Sequence, residues 1–460
     1  VPDQTTPDYA DVVVVGAGQA GLAVAAHLAR AGFVPADDPR PGAPTYVVLD
    51  DAPGPGGAWR ERWPGLTMRT VNGVYELPGR PLPAFDPDEP AADALTRYFG
   101  EYELDLGLPV RRAVLVRRVR DAGGPGALLA VDVEERPVAP AVPMPRTPGA
   151  VVPAPRTRAS EDADDGLGGG AGTRRAVPGP APAAPVPAAP VDDSPATEPD
   201  GTPGPERRRR AARSRHPRTW HARALVNATG TWTRPFWPTY PGAREFAGTQ
   251  LHTHDYRRPE DLADRHVLVV GGGISAVQHL LAVHPVAAST TWVTRRPPDW
   301  RDATFTPELG REAVARVDER TRAGLPPQSI VSATGLPMTD AYRAGIAAGV
   351  LVARPPFARL VADGAVWDPA LAAAPPEGWV AGPEHVAADV VLWATGFRAA
   401  LDHLRPLGLR DAGGGIVMDG TRVVADPRIQ LVGYGPSAST VGANRAGRAA
   451  VRQVRRYLGV

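Results

Sequence analysis

The chain has 460 residues, 43% of them hydrophobic, and a formal net charge of +1. That length suits two or three domains with sizeable cores, and near-neutrality leaves no global field drawing it to nucleic acid or a membrane. Cysteine is absent, which excludes a disulfide framework, Cys-ligated zinc and any CxxC redox pair. Lysine is absent too, which excludes Schiff-base chemistry and Walker-type phosphate loops. No metal site is expected, and a cysteine-free chain fits a cytoplasmic setting.

The N-terminus lacks the basic and apolar segments of a signal peptide, and no run of 18 apolar residues suggests a membrane span. Residues 11–15, DVVVV, form an apolar β-branched run, which predicts a strand buried on both faces of a parallel sheet. Gly16-Ala-Gly18-Gln-Ala-Gly21 follows at once and opens a predicted helix closed by Gly32. In that strand–turn–helix context, Gly16 permits the tight turn, Gly18 lets backbone approach a diphosphate, and Gly21 lets the helix pack close. The helix N-terminus then offers N–H groups and partial positive charge to phosphates. TYVVLD, 45–50, is the next strand, ending in Asp50 or its neighbour Asp51 as acceptor for ribose hydroxyls.

Residues 134–218 are of another kind. They contain no aromatic residue, one leucine, 18 of the 54 prolines and an ERRRR run. Such composition cannot bury enough apolar surface to offset its ordering entropy, so a disordered insertion is expected. Its flanks, LLAVDV and WHARALVNATG, read as strands, so it stands in place of a hairpin turn.

The strand–turn–helix unit recurs at 266–294, with Gly271-Gly-Gly273-Ile-Ser275-Ala276 as its turn. Two units predict two nucleotide sites. The strand after the second turn ends in Arg295-Arg296, and guanidinium suits a 2′-phosphate where carboxylate would repel it. This favours NADPH, with Arg295 ahead of Arg296. DVVLWATGF and IQLVGYG then read as strands, and the last helix places Ala446, Ala450, Val454 and Leu458 on one face.

Between the glycine motifs stands Phe246-Ala-Gly248-Thr-Gln-Leu-His252-Thr-His-Asp-Tyr256-Arg257. It resembles the FxGxxxHxxxY signature of flavin-containing and related class B flavoprotein monooxygenases. Arg257 stands where that family usually has Lys, and Tyr256 resembles the branch that oxidises nitrogen and other heteroatoms. Gly56-Gly57-Ala-Trp59 resembles the family's GGxW segment along the flavin. Ala228-Thr229-Gly230 and Ala394-Thr395-Gly396 resemble its two ATG segments. Gly433-Tyr-Gly435 resembles the approach to the helix aimed at the pyrimidine edge of the flavin. Asn72 matches an Asn near the flavin's oxygen-reactive face, and reads equally as half of an Asn-Gly turn.

The resemblance covers nearly the whole chain outside 134–218. It implies an α/β fold of two Rossmann-like dinucleotide-binding domains: an FAD-binding domain from 1–133 and 219–250, an NADPH-binding domain over 251–388, and a return to the first domain over 389–460. It implies FAD and NADPH as cofactors, a small nitrogen- or sulfur-containing substrate with O₂ as partners, and oxygen transfer through a C4a-peroxyflavin. His252 and Tyr256 are then linker residues shaping NADPH binding. Two other readings stand beside it: an NADPH oxidase or electron-transfer flavoprotein of the same fold, and a non-catalytic nucleotide-sensing interaction protein.

Overall fold

A computed structural model of the chain describes residues 8–71, 73–123, 128–137, 218–302, 307–327, 335–438 and 440–460. Asn72, and the segment read as an insertion apart from its ends, lie outside the described residues.

The DVVVV run lies in β1 (Asp8–Val15). Val12 and Val14 enter the core on one side of the sheet, Val13 and Val15 the core on the other. A strand covered on both faces explains why the run does not alternate with polar residues. Next come α1 (Gln19–Arg30), β2 (Val34–Pro35) and β3 (Thr45–Leu49), with β3 parallel to β1. Then follow α2 (Ala91–Asp105), β4 (Val110–Arg111), β5 (Val114–Asp121) and β6 (Leu129–Glu135). β7 (Arg218–Asn227) runs parallel to β1 along its length and antiparallel to β6, with Val133 opposite Arg218. The chain thus leaves the sheet after Glu135 and re-enters it on the neighbouring strand.

A second sheet begins with β8 (Thr249–His252) and β9 (His266–Val270), followed by α3 (Ile274–Val283) and β10 (Ser289–Val293). β11 (Trp300–Arg301), α4 (Pro307–Arg322), β12 (Leu336–Pro337) and α5 (Asp340–Ala347) precede β13 (Ala353–Arg354). A small antiparallel sheet, β14 (Arg359–Val361), β15 (Gly364–Val366) and β16 (His385–Ala387), encloses the short helix α6 (Pro369–Ala373) in sequence. β17 (Val390–Trp393) completes the second sheet, whose order is β13-β10-β9-β17-β8 with every neighbour parallel.

This sheet membership moves two expected boundaries. Val390–Trp393, assigned from sequence to the C-terminal return, pairs with β9 and β8, and β8 itself straddles the expected start of the second domain at 251. The residues of VVLW are buried on both faces and would suit either parallel sheet, so nothing local in them names the sheet they join.

The return to the first sheet comes through β18 (Met418–Asp419), β19 (Arg422–Val423) and β20 (Ile429–Leu431), the last parallel to β7. α7 (Thr440–Leu458) buries Ala446, Ala450, Val454 and Leu458, as their spacing predicts. It packs on α1, where a Cβ at Gly447 would lie 3.2 Å from Ala23. His27 Nε2 of α1 lies 2.9 Å from Asn444 Oδ1 of α7.

Candidate functional site

The two glycine turns are built alike. At the first, Gly16 has φ +99° and a Cβ there would lie 2.6 Å from Ala228 O. At the second, Gly271 has φ +148° and a Cβ would lie 2.2 Å from Ala394 O. Ala228 N–H donates to Val15 O, and Ala394 N–H to Val270 O, each at 2.8 Å. Each first glycine therefore abuts the alanine of one ATG segment, so glycine is required by both the backbone angle and the contact. Gly21 packs on its own turn, where a Cβ would lie 1.8 Å from Gly16 O.

Both turns deliver helix N-termini that no side chain caps. Gly18 is the N-cap of α1 and Gly273 of α3, and neither receives a side-chain cap bond. In front of Gly273 a Cβ would meet nothing within 4 Å, and Ser275 sits half-buried in the first turn of α3. In front of Gly18 lies Gly57, at 3.9 Å from the added Cβ, so that turn is faced by backbone alone. Both termini thus keep the orphan N–H groups and the space that a diphosphate needs.

Asp50 directly follows β3 and is 6% exposed. Its Oδ2 accepts from Ala17 N–H at 2.5 Å, its Oδ1 accepts from Ala52 N–H at 2.9 Å, and the Arg112 guanidinium stands 3.1 Å away. The carboxylate thus anchors the first turn, and each oxygen retains a further lone pair for a ligand hydroxyl. At the end of β10, Arg295 and Arg296 are exposed and make no hydrogen bond or ion pair among the described residues. The intervening Thr294 is buried and accepts from Trp379 Nε1 at 2.9 Å.

The two chain crossings between the sheets are tied together. Phe236 N–H donates to Gly396 O at 2.9 Å, and Ala400 N–H to Gly230 O at 3.0 Å. Thr395 Oγ1 donates to Phe236 O at 2.5 Å, and Thr229 Oγ1 to Ala400 O at 2.8 Å. His252 is wholly buried beside this junction. Its Nδ1 accepts from His254 N–H at 3.0 Å, so its Nε2 carries the proton donated to Gly396 O at 3.2 Å. Burial holds this imidazole below its ordinary pKa, so it is a neutral clamp on the second ATG segment.

Three residues expected at a cofactor have tight protein surroundings. A Cβ at Gly248 would lie 2.4 Å from Asp389 O, and one at Gly435 2.7 Å from Thr321 Cγ2. Tyr256 is buried against Trp63 and His279, and its hydroxyl has no hydrogen-bond partner among the described residues.

The segment 57–71 joins the two turns. Gly57 backs onto Gly18, while Trp63 lies 4.9 Å from the His279 ring on α3 and Thr70 O accepts from Gln278 Nε2. Between these anchors, Arg62 stands 5.6 Å from the Trp59 ring and 4.1 Å over the Trp232 ring. Trp232 stacks on Phe397 at 4.8 Å and lies 5.0 Å from His254. Sequence reasoning missed Arg62, Trp232, Phe397 and His279. A signal existed for two of them, because an aromatic residue follows each ATG: Trp232 after the first and Phe397 after the second. A cavity of about 200 Å³ beside β8, lined by Thr249, Tyr256, Arg257 and Arg265 among others, includes none of the glycine-turn residues. Among the described residues there is no group placed to hold a metal ion, and no helix long and apolar enough to cross a membrane.

This arrangement has counterparts. A family described as pyridine nucleotide-disulphide oxidoreductase matches residues 214–322. A flavin-containing monooxygenase from Stenotrophomonas maltophilia is 29% identical, with a TM-score of 0.64, over 98% of this chain and 99% of that one. Along nearly its whole length the chain is similar to flavin-containing monooxygenases. Curated relatives match over shorter stretches. Indole-3-pyruvate monooxygenase YUCCA4 of Oryza sativa subsp. japonica is 26% identical over 59% of this chain and 44% of its own. A ferredoxin–NADP reductase of Bradyrhizobium diazoefficiens is 36% identical over 21% of this chain and 28% of its own. The matches thus span less than half the length of these two relatives.

Proposed function

We propose that the chain is an FAD-dependent, NADPH-using monooxygenase that oxygenates a small nitrogen- or sulfur-containing nucleophile through a C4a-peroxyflavin. The observation carrying this reading is the doubled turn: two uncapped helix N-termini, each set by a glycine lodged against an ATG alanine, bridged by one segment. FAD, when bound, supplies acceptance of hydride from NADPH and activation of O₂.

The chain's own part is binding and positioning. The α1 terminus and Gly18 hold the FAD diphosphate, with Asp50 toward its ribose and Gly57 and Trp59 along its length. The α3 terminus, Gly273 and Ser275 hold the NADPH diphosphate, and Arg295, seconded by Arg296, takes the 2′-phosphate. His252, with Thr229, Gly230, Thr395 and Gly396, fixes the junction at which the two cofactors meet. Being neutral and doubly bonded, His252 positions and does not transfer protons. The likeness to a ferredoxin–NADP reductase supports a second reading, NADPH oxidation with electrons passed to a partner or to O₂.

The visible spectrum of the purified protein and stopped-flow mixing with NADPH and O₂ test this. Bound FAD and a lasting near-ultraviolet band after reoxidation are expected, with NADPH consumption coupled to product over a panel of amines and sulfides. Immediate reoxidation with stoichiometric peroxide and no product from any panel member would sustain the second reading instead.

A further inference from the structure

Arg62 is a cation without an anion. Neither a carboxylate nor any other acceptor bonds its side chain among the described residues, and its Nε is buried with no partner. Its guanidinium is held by an indole on one face, at 4.1 Å from Trp232, with Trp59 farther off at 5.6 Å. The Trp232 Nε1–H is also buried without an acceptor among the described residues. Two sealed donors in one stack, and no acceptor for either, are costly unless something supplies one. Burial alone, with no offsetting charge, pulls the guanidinium down to about 10.

The position narrows the choice of anion. Arg62 lies on the segment that backs onto the first glycine turn through Gly57 and onto α3 through Trp63 and Thr70. The stack extends through Trp232 to Phe397 and His254, at the junction of the two ATG crossings. The cofactor charges already have places: one diphosphate at each helix N-terminus and a 2′-phosphate at the exposed Arg295 and Arg296. Arg62 belongs to none of these, and its walls are aromatic.

We propose that Arg62 recognises the carboxylate of the organic substrate, so that the nitrogen or sulfur oxidised here is carried on an acid, such as an amino acid. A guanidinium fork matches a planar carboxylate with paired hydrogen bonds, and indole walls exclude the water that would weaken them. Trp232 and Phe397 then flank the apolar part of the same molecule. The inference deepens the monooxygenase reading and rests on it for the word substrate; the binding event itself does not.

The test is therefore equilibrium binding to the FAD-loaded protein, followed by tryptophan emission, with phenylacetate and its neutral isostere phenylacetamide as probes. The acid is expected to bind about tenfold or more tightly than the amide, the order for a charge-assisted pair. Arg62→Gln is expected to erase that preference while leaving NADP⁺ affinity unchanged, and Arg62→Lys, which keeps charge but loses the fork, to retain part of it. Equal binding of the two probes, or of neither, would overturn the proposal. So would a loss that falls on NADP⁺ affinity in either variant, since it would assign Arg62 to a cofactor phosphate. A protein that binds phenylacetate through Arg62 yet yields no oxygenated product retains this site and loses only the monooxygenase reading.

Discussion

Two substitutions separate the nucleotide sites at the scale of single residues. Gly271→Ala places a methyl 2.2 Å from Ala394 O at φ +148°, so the second turn must open. Strain of about 1–3 kcal/mol falls at the helix terminus that would grip NADPH. FAD content measured from absorbance is expected to stay near one per chain, while NADPH affinity falls by at least about tenfold. Loss of both cofactors together would show that the turns are not independent. Arg295→Ala is expected to raise KM for NADPH well above any effect on NADH, because the 2′-phosphate is the only difference between them. Equal effects in steady-state assays would remove Arg295 from that role. The places of the glycines and Arg295 in the fold were legible because each sits at a fixed offset from a predicted strand. Arg62 was not: in a chain whose 51 basic residues are all arginine, its type carries no information. Its lack of a partner exists only once Trp59 and Trp232 are brought around it.

Among the elements, α3 carries a titration that its sequence conceals. His279 lies on the buried face of this helix, 1% exposed, against Trp63 and Tyr256. Burial, aided by neighbouring His252, pushes its pKa down from 6.5 to about 3. The folded state therefore holds His279 neutral where the unfolded chain would protonate it. Its contribution to stability is complete above about pH 6.5 and is lost as pH falls toward the folded value, at roughly 1.4 kcal/mol per pH unit. Urea unfolding midpoints between pH 7 and 4 are expected to fall, and His279→Phe to flatten that fall by about one proton's worth. An unchanged slope in the variant would mean that other groups dominate. The four-residue apolar spacing of α7 was readable in advance, since Ala446, Ala450, Val454 and Leu458 repeat at i, i+4 intervals. The sheet membership of β17 was not, because VVLW is equally apolar on every side and only its partners β8 and β9 decide it.

Over the whole molecule, the repeated strand–glycine–helix units predicted two parallel sheets, and each motif lies at the carboxyl end of an interior strand of its own sheet, β1 and β9. What the repetition could not reveal is how the chain passes between them. The outward crossing, 231–236, and the homeward crossing, 396–400, lie side by side, bonded through Phe236, Gly396, Ala400 and Gly230, with Pro235 bridged to Phe397. After coming home the chain adds β20 beside β7 and lays α7 across α1. Fragments on either side of a protease nick at Arg234 would therefore remain interleaved. The later piece contributes a strand and a helix to the sheet begun by the earlier one, so the cut molecule holds together until that sheet melts.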